Sequence, residues 1–305
     1  VLLPSLLLEG SHRVYQLFRR GTPLSFNPIE LWDETLGWRG REHVLSGENE
    51  TSPILVIGDS FTEGLGVPTE KMWFASLRER FPKKTIIAYG GLGYGNLQHL
   101  LVIRDYLNRG VSPEYIIIQL CTNDIINNYF PLEKRSLLQR APAPRPYLIK
   151  DQIRVKLPRN YDSLLLPLIS YSRLAYALNN RLDGELADLA SKGNLNSIEF
   201  QIGSENRKSL YLYRKALKVT AKIIKEIKQS AEKSKLIFVL IDDVEPYTTS
   251  LKKIANRYRI PIIIPAHNYP ISLDGKLADG THYNEYGNNL IGKRVLQEGE
   301  ARGVF

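Results

Sequence analysis

Short apolar runs recur along the chain, and between them lie stretches whose apolar positions repeat at helical spacing. Ile54–Ile57 follow Pro53 and run into Gly58, and Thr85–Tyr89, Tyr115–Leu120, Leu236–Ile241 and Ile260–Pro265 repeat the pattern. Continuous apolar runs of this length, closed by turn residues, read as strands buried on both faces. A helix near 70–80 puts Trp73, Phe74 and Leu77 on one face. Others follow at 96–109 (Leu97, Leu100, Leu101, Ile103, Leu107), 207–233 (Leu210, Leu217, Ile224, Ile227) and near 247–259, and the last stretch, LADGTHYNEYGNNLIGKRVLQEG, reads as a loop and then a terminal helix. Strands alternating with helices predict a parallel sheet joined by right-handed crossovers.

The rhythm is interrupted twice. Residues 21–52 contain GTPLSFNP and LGWRGREH and read as an irregular lead-in packed by Trp32 and Trp38. Residues 128–206, after the third strand, contain APAPRPY, a hairpin pattern (YLIKDQIRVKL), a Leu/Tyr-rich stretch and a polar stretch at 191–206. An insertion of this length is expected to cap the site and carry specificity. The organisation expected is a lead-in over 1–52 and one domain over 53–305, with 128–206 inserted.

The first eight residues, VLLPSLLL, are too few to span a bilayer. They read either as the tail of a membrane or signal segment, or as a helix continuing through Val14, Leu17 and Phe18. The chain starts at Val1 rather than Met, and the expectation is that its true N-terminus lies upstream. Arg13, Arg19 and Arg20 follow the apolar run. The location expected is the cell envelope, extracytoplasmic or membrane-anchored through that segment, with the cytoplasm as the alternative.

Composition narrows the classes. Of 305 residues, 43% are hydrophobic and 24% charged, which fits a packed core and not wholesale disorder. The net charge of +9 suits an anionic polymer or membrane surface without establishing either. The basic residues are scattered rather than interleaved with aromatics, against a nucleic-acid partner. One cysteine, Cys121, excludes an internal disulfide and a thiolate metal cluster, and it reads as a small core residue. Oligomeric state is not legible.

Four loops at strand ends or before the last helix hold the candidate chemistry: Ser60, Gly93, Asn123, and Asp279 with His282. In a parallel sheet the loops beyond the strands' carboxyl ends lie at one edge and can converge. A serine needs an adjacent base to become a nucleophile, and His282 is the candidate. Asp279, three residues earlier, can orient the imidazole and stabilise its charged form. The backbone N–H groups of Ser60 and Gly93 and the Asn123 amide can face a developing oxyanion. Each signal alone has a plainer explanation: Ser60 or Asp279 as a helix cap, and Asn123 as a turn residue. Asp59 and Asp124 read as turn scaffolding, and Asp242 and Asp243, at the end of the fourth strand, as a solvated loop or else as lining of the pocket. His267 is the rival base, and it has no acid three residues before it.

Together these residues resemble the GDSL-type esterases and lipases of the SGNH hydrolase superfamily. The blocks are GDSFTEG at 58–64, AYGGLGYGNLQ at 88–98, CTND at 121–124 and DGTH at 279–282, in family order. Two positions depart from the pattern, since Cys121 stands where the third block usually has glycine and Ala88 where the second has asparagine. The resemblance implies a three-layer α/β/α, flavodoxin-like fold with a central five-stranded parallel sheet. It implies Ser60, His282 and Asp279 as a catalytic triad, with Ser60, Gly93 and Asn123 as the oxyanion hole and no cofactor or metal. The substrate implied is an acetyl or short acyl ester on a small molecule or polysaccharide. An O-acyltransferase and a non-catalytic carbohydrate-binding protein of the same fold stay open. A dinucleotide-binding loop at GGLGYG fits poorly, because Asn96 stands where its third glycine belongs.

Overall fold

A computed structural model describes residues 7–15, 32–137, 144–158, 172–175, 177–178, 181–182, 185, 189, 198–203, 207–267 and 270–305. The chain divides into two compact units, residues 40–129 with 210–305 and residues 1–39 with 130–209.

The first unit holds the sheet. Its strands are β1 (Arg41–Leu45), β2 (Asn49–Gly58), β3 (Lys84–Gly90), β4 (Tyr115–Leu120), β5 (Lys235–Leu240) and β6 (Ile262–Ile263). They lie in the spatial order β6-β5-β4-β2-β3-β1. β2 to β6 are parallel, and β1 runs antiparallel to β3. Numbered by chain order, the five parallel strands are arranged 2-1-3-4-5, an order of the flavodoxin-like kind that the family resemblance implies. Registers such as Ile57↔Ile118 and Gly58↔Gly90 bring the carboxyl ends of β2, β3 and β4 level.

Side chains alternate across the sheet. Ile54, Val56, Ile86, Ala88, Ile117, Ile237 and Val239 share a core with Trp73, Phe74 and Leu77 and with Ile291, Val295 and Leu296 of the terminal helix α6 (Glu285–Ala301). Three other helices stand together: α2 (Asn96–Asn108), α4 (Arg207–Ser230) and α5 (Tyr247–Arg257). Arg104 of α2 pairs with Glu226 of α4 at 3.0 Å, and Tyr213 of α4 donates to Ser250 of α5 at 2.9 Å. Short helices α1 (Ser60–Glu63) and α3 (Asp124–Asn127) follow β2 and β4. No helix among the described residues is long and apolar enough to cross a membrane.

Three elements differ from expectation. The lead-in contributes the sixth strand, β1, where His43 and Leu45 point inward and Val44 outward. The segment near 70–80 is three short pieces, Thr69–Lys71, Trp73–Ser76 and Leu77–Arg80, rather than one helix. The break falls at Met72, which is extended, and the Trp73 N–H goes to Asn288 of α6 at 3.1 Å instead of to a helical carbonyl. β6 is only two residues long. Pro261 and Pro265 flank it without N–H groups, and Arg302 and Arg294 donate to the carbonyls of Ile262 and Pro265.

The second unit contains helix 7–15 and the hairpin Arg145–Ile149/Gln152–Lys156, whose turn residues Lys150 and Asp151 both have positive φ. Buried Arg145 pairs with buried Glu133 at 3.4 Å and stacks on Trp38, while Tyr147 donates to Glu133 at 2.9 Å. Leu17, Phe18, residues 141–143 of the Pro-rich run and parts of the 191–206 stretch lie outside the described residues.

Candidate active site

β2 ends at Gly58, and Asp59 caps α1 through a bond from the Phe61 N–H to its carboxylate at 3.0 Å. Ser60 is therefore the first helical residue, not the cap. Gln119 of β4 accepts from the Asp59 N–H and from Thr62 Oγ1, both at 3.0 Å, and so ties this turn to the neighbouring strand. His43 braces α1 from the other side through Glu63 O at 2.9 Å.

The 279–282 loop meets this turn. Nε2 of His282 lies 2.8 Å from Ser60 Oγ, and Nδ1 lies 2.5 Å from Asp279 Oδ2. The other oxygen of Asp279 accepts the N–H groups of Thr281 and His282 at 2.8 and 2.9 Å. One carboxylate thus folds the loop and orients the imidazole. Asp279 does not cap α6, because Asn284 does so by accepting from the Gly287 N–H. Burial works to raise the Asp279 pKa. The bonds from the His282 side chain and the two N–H groups outweigh it and hold the carboxyl below its usual range. An imidazole held between a carboxylate and a hydroxyl can take the hydroxyl proton.

What supports His282 could not be seen from its neighbours along the chain. Phe61 packs against its ring at 5.1 Å between centroids and against Tyr283 at 5.0 Å, and Tyr283 donates to Ile241 O at 3.1 Å. The aromatic in GDSF could have suggested this only if the fold were already known.

β4 and β3 flank β2, so Asn123 and Gly93 stand on strand-end loops to either side of Ser60. Gly93 lies between β3 and α2 at φ +66°, a conformation that favours glycine. The adjacent Leu92 N–H donates to the Glu63 carboxylate, which joins this loop to α1. Asn123 is buried at the start of α3, with Nδ2 donating to Asn127 Oδ1 at 2.8 Å.

One expectation about acids is corrected. Asp242 is not a solvated loop residue: it accepts from the Thr122 N–H at 3.0 Å and from Cys121 Sγ at 3.3 Å, and burial raises its pKa. Asp243 is exposed, as a solvated loop residue is expected to be, and it lies 2.6 Å from His267 Nδ1, so the rival histidine has an acid after all. That pair links the ends of β5 and β6, which no local spacing reveals. Burial, reinforced by the Asp242, Asp59 and Asp124 charges, raises the Cys121 thiol well above its usual pKa, as befits an inert core thiol.

No curated protein matches the chain. Similar solved structures include TesA, at 12% identity and a TM-score of 0.46, covering 82% of this chain and 99% of that one. The esterase EstA from Pseudoalteromonas sp. is 12% identical at a TM-score of 0.45, covering 82% and 98%. The acetyl xylan esterase Est2A from Butyrivibrio proteoclasticus is 10% identical at 0.45, covering 84% and 65%. The family model of the GDSL-like lipases/acylhydrolases matches residues 54–295, which is most of the chain, and the protein belongs to that family of carboxylic ester hydrolases.

Proposed function

We propose that this chain hydrolyses esters through an acyl-enzyme on Ser60, with His282 as general base and then general acid and Asp279 as the orienting carboxylate. The observation that carries the proposal is the single imidazole bonded at once to Ser60 Oγ and to Asp279. His282 takes the Oγ proton as Ser60 attacks the acyl carbon, and Asp279 stabilises the imidazolium. The oxyanion is met by the Ser60 and Gly93 N–H groups and the Asn123 amide. His282 then protonates the leaving alcohol, and water, deprotonated by the same imidazole, releases the acid and frees Ser60.

An acetyl or short acyl group on a carbohydrate is the substrate we propose. Its support is that the side chain of Asp279 is 44% exposed and that of His282 19%, so an ester on a bulky alcohol can approach Ser60 from solvent. An envelope location belongs to the same proposal and rests on VLLPSLLL and the arginines after it.

The test is turnover of p-nitrophenyl acetate together with labelling by a fluorophosphonate. Ser60→Ala should abolish labelling and lower kcat by about 10⁴-fold or more. A parent that neither turns over nor labels, with Ser60→Ala indistinguishable from it, would overturn the reading. With a labelled acyl donor and a sugar acceptor, free acid signals hydrolysis and an acylated sugar signals transfer through the same acyl-enzyme.

A further inference from the structure

An amide aimed at an oxyanion works only if it is held before charge develops, because a donor that must first reorient gives part of its stabilisation back. Asn123 is held by Asn127, one helical turn along α3. The Asn127 N–H donates to Asn123 O at 3.0 Å, and Asn127 Oδ1 accepts from Asn123 Nδ2 at 2.8 Å. One N–H of the Asn123 amide is thereby committed, and rotating the amide breaks that bond. The direction of the second N–H is then fixed.

Asn127 is itself fixed, because α3 is anchored by buried polar groups. Asp124 accepts from the Cys121 N–H at 3.2 Å and from Asn96 Nδ2 at 3.0 Å. Asn128, next to Asn127, donates to Asn96 Oδ1 at 2.7 Å and to Thr220 Oγ1 at 2.9 Å. Asn96, Asp124, Asn127, Asn128 and Thr220 are all almost wholly buried. Burying this much polar surface is costly, and the hydrogen bonds these groups make to one another offset part of that cost and tie α3 to α2 and α4. The network surrounds a four-residue helix that is too short to stand alone.

We propose that Asn127 is a positioning residue, whose side-chain carbonyl holds the Asn123 amide in the orientation that receives the oxyanion. This deepens the esterase proposal and rests on it. Asn127 touches no substrate atom and acts through Asn123 alone.

A double-mutant cycle on p-nitrophenyl acetate tests it. In the parent, Asn127→Leu should lower kcat about tenfold to hundredfold and leave KM within about threefold, since the loss falls on the transition state. In an Asn123→Ala background the same change should cost less than about twofold, because nothing is left to position. Equal losses in both backgrounds, or a kcat for Asn127→Leu within twofold of the parent, would overturn the inference. If Asn127→Leu does not fold by circular dichroism, Asn127→Ala takes its place with the same two outcomes. Ser60→Ala separates the failures. If it is inactive while Asn127→Leu keeps the parent rate, this inference alone is wrong. If it is as active as the parent, the esterase reading falls, and the inference falls with it.

Discussion

Asp59 accepts the Phe61 N–H that caps α1, and it does so from a fully buried position. Burial dominates its titration and, against the Phe61 bond, lifts the carboxyl from 3.8 to about 6. The folded state therefore holds this proton more tightly than the unfolded chain does. The resulting stabilisation is complete below pH 3.8 and is lost as pH rises through about 6. The two values correspond to about 3 kcal/mol across that window. Asn keeps the capping oxygen and does not titrate. Asp59→Asn should accordingly match the parent near pH 4 and exceed its stability above pH 6, as read by denaturant midpoints at a series of pH values. Asp279 has the opposite sign, because its pKa is lowered and its contribution is lost only as pH falls below the usual carboxylate range. Parallel curves for parent and variant would mean that Asp59 ionises normally in the fold. Roles of this kind are half legible in sequence. Asp59 could be read as holding the turn because capping is local. The partners of Asp242 and His267 could not be read, because Thr122 and Asp243 reach them from other strands.

The turn from β2 into α1 depends on two glycines whose hydrogen atoms face neighbouring elements. A Cβ on Gly58 would lie 2.2 Å from Thr62 Oγ1 and 2.3 Å from Gln119 Oε1. On Gly90, at the end of β3, it would lie 2.2 Å from the Glu63 N and 2.6 Å from the Asp59 O. The second clash is with backbone and cannot be relieved by a rotamer change. Gly90→Ala should destabilise by about 1–3 kcal/mol, as overpacking does. It should also lower kcat, because α1 carries Ser60. Thermal melts and turnover on the same samples check both. An active variant of parental stability would mean that β3 and α1 can separate at no cost. Elements whose partners lie on both faces were legible, as Tyr115–Leu120 shows, since a run that is apolar except for Gln119 has few other fates. β1 was not, because REHVL is a short edge strand with outward polar residues and looks like a loop. The 70–80 helix was over-read. Its apolar spacing is real, but the bond from the Trp73 N–H to Asn288 is tertiary and lies 215 residues away in sequence.

At the scale of the whole molecule, the broken rhythm after β4 marks where the second unit enters but not what it recruits. Residues 1–39 belong with 130–209, and their union is tertiary: Trp38 lies under the Arg145 guanidinium, and Glu9 accepts the N–H groups of Arg173 and Leu174. The buried pair Arg145–Glu133 is the place to ask whether the two units unfold together. Removing one member of such a pair strands a charge in a dry site and typically costs about 3–5 kcal/mol, while replacing both with apolar residues recovers much of it. Arg145→Met should therefore lower stability by about that amount, and Glu133→Leu added to it should restore part. The sites of loss carry the argument. If the units are separately cooperative, hydrogen exchange in Arg145→Met will speed up at the amides of the Arg145–Lys156 hairpin. Those of Ile54–Ile57 and Ile116–Ile118, in the other unit, will keep their protection. p-Nitrophenyl acetate turnover should then survive conditions that open the hairpin, because the proposed site residues Ser60, Asn123 and His282 all belong to the sheet unit. Equal loss of protection in both sets of amides, with activity falling in step, would mean one cooperative fold whose esterase site is stabilised by the unit that interrupts it.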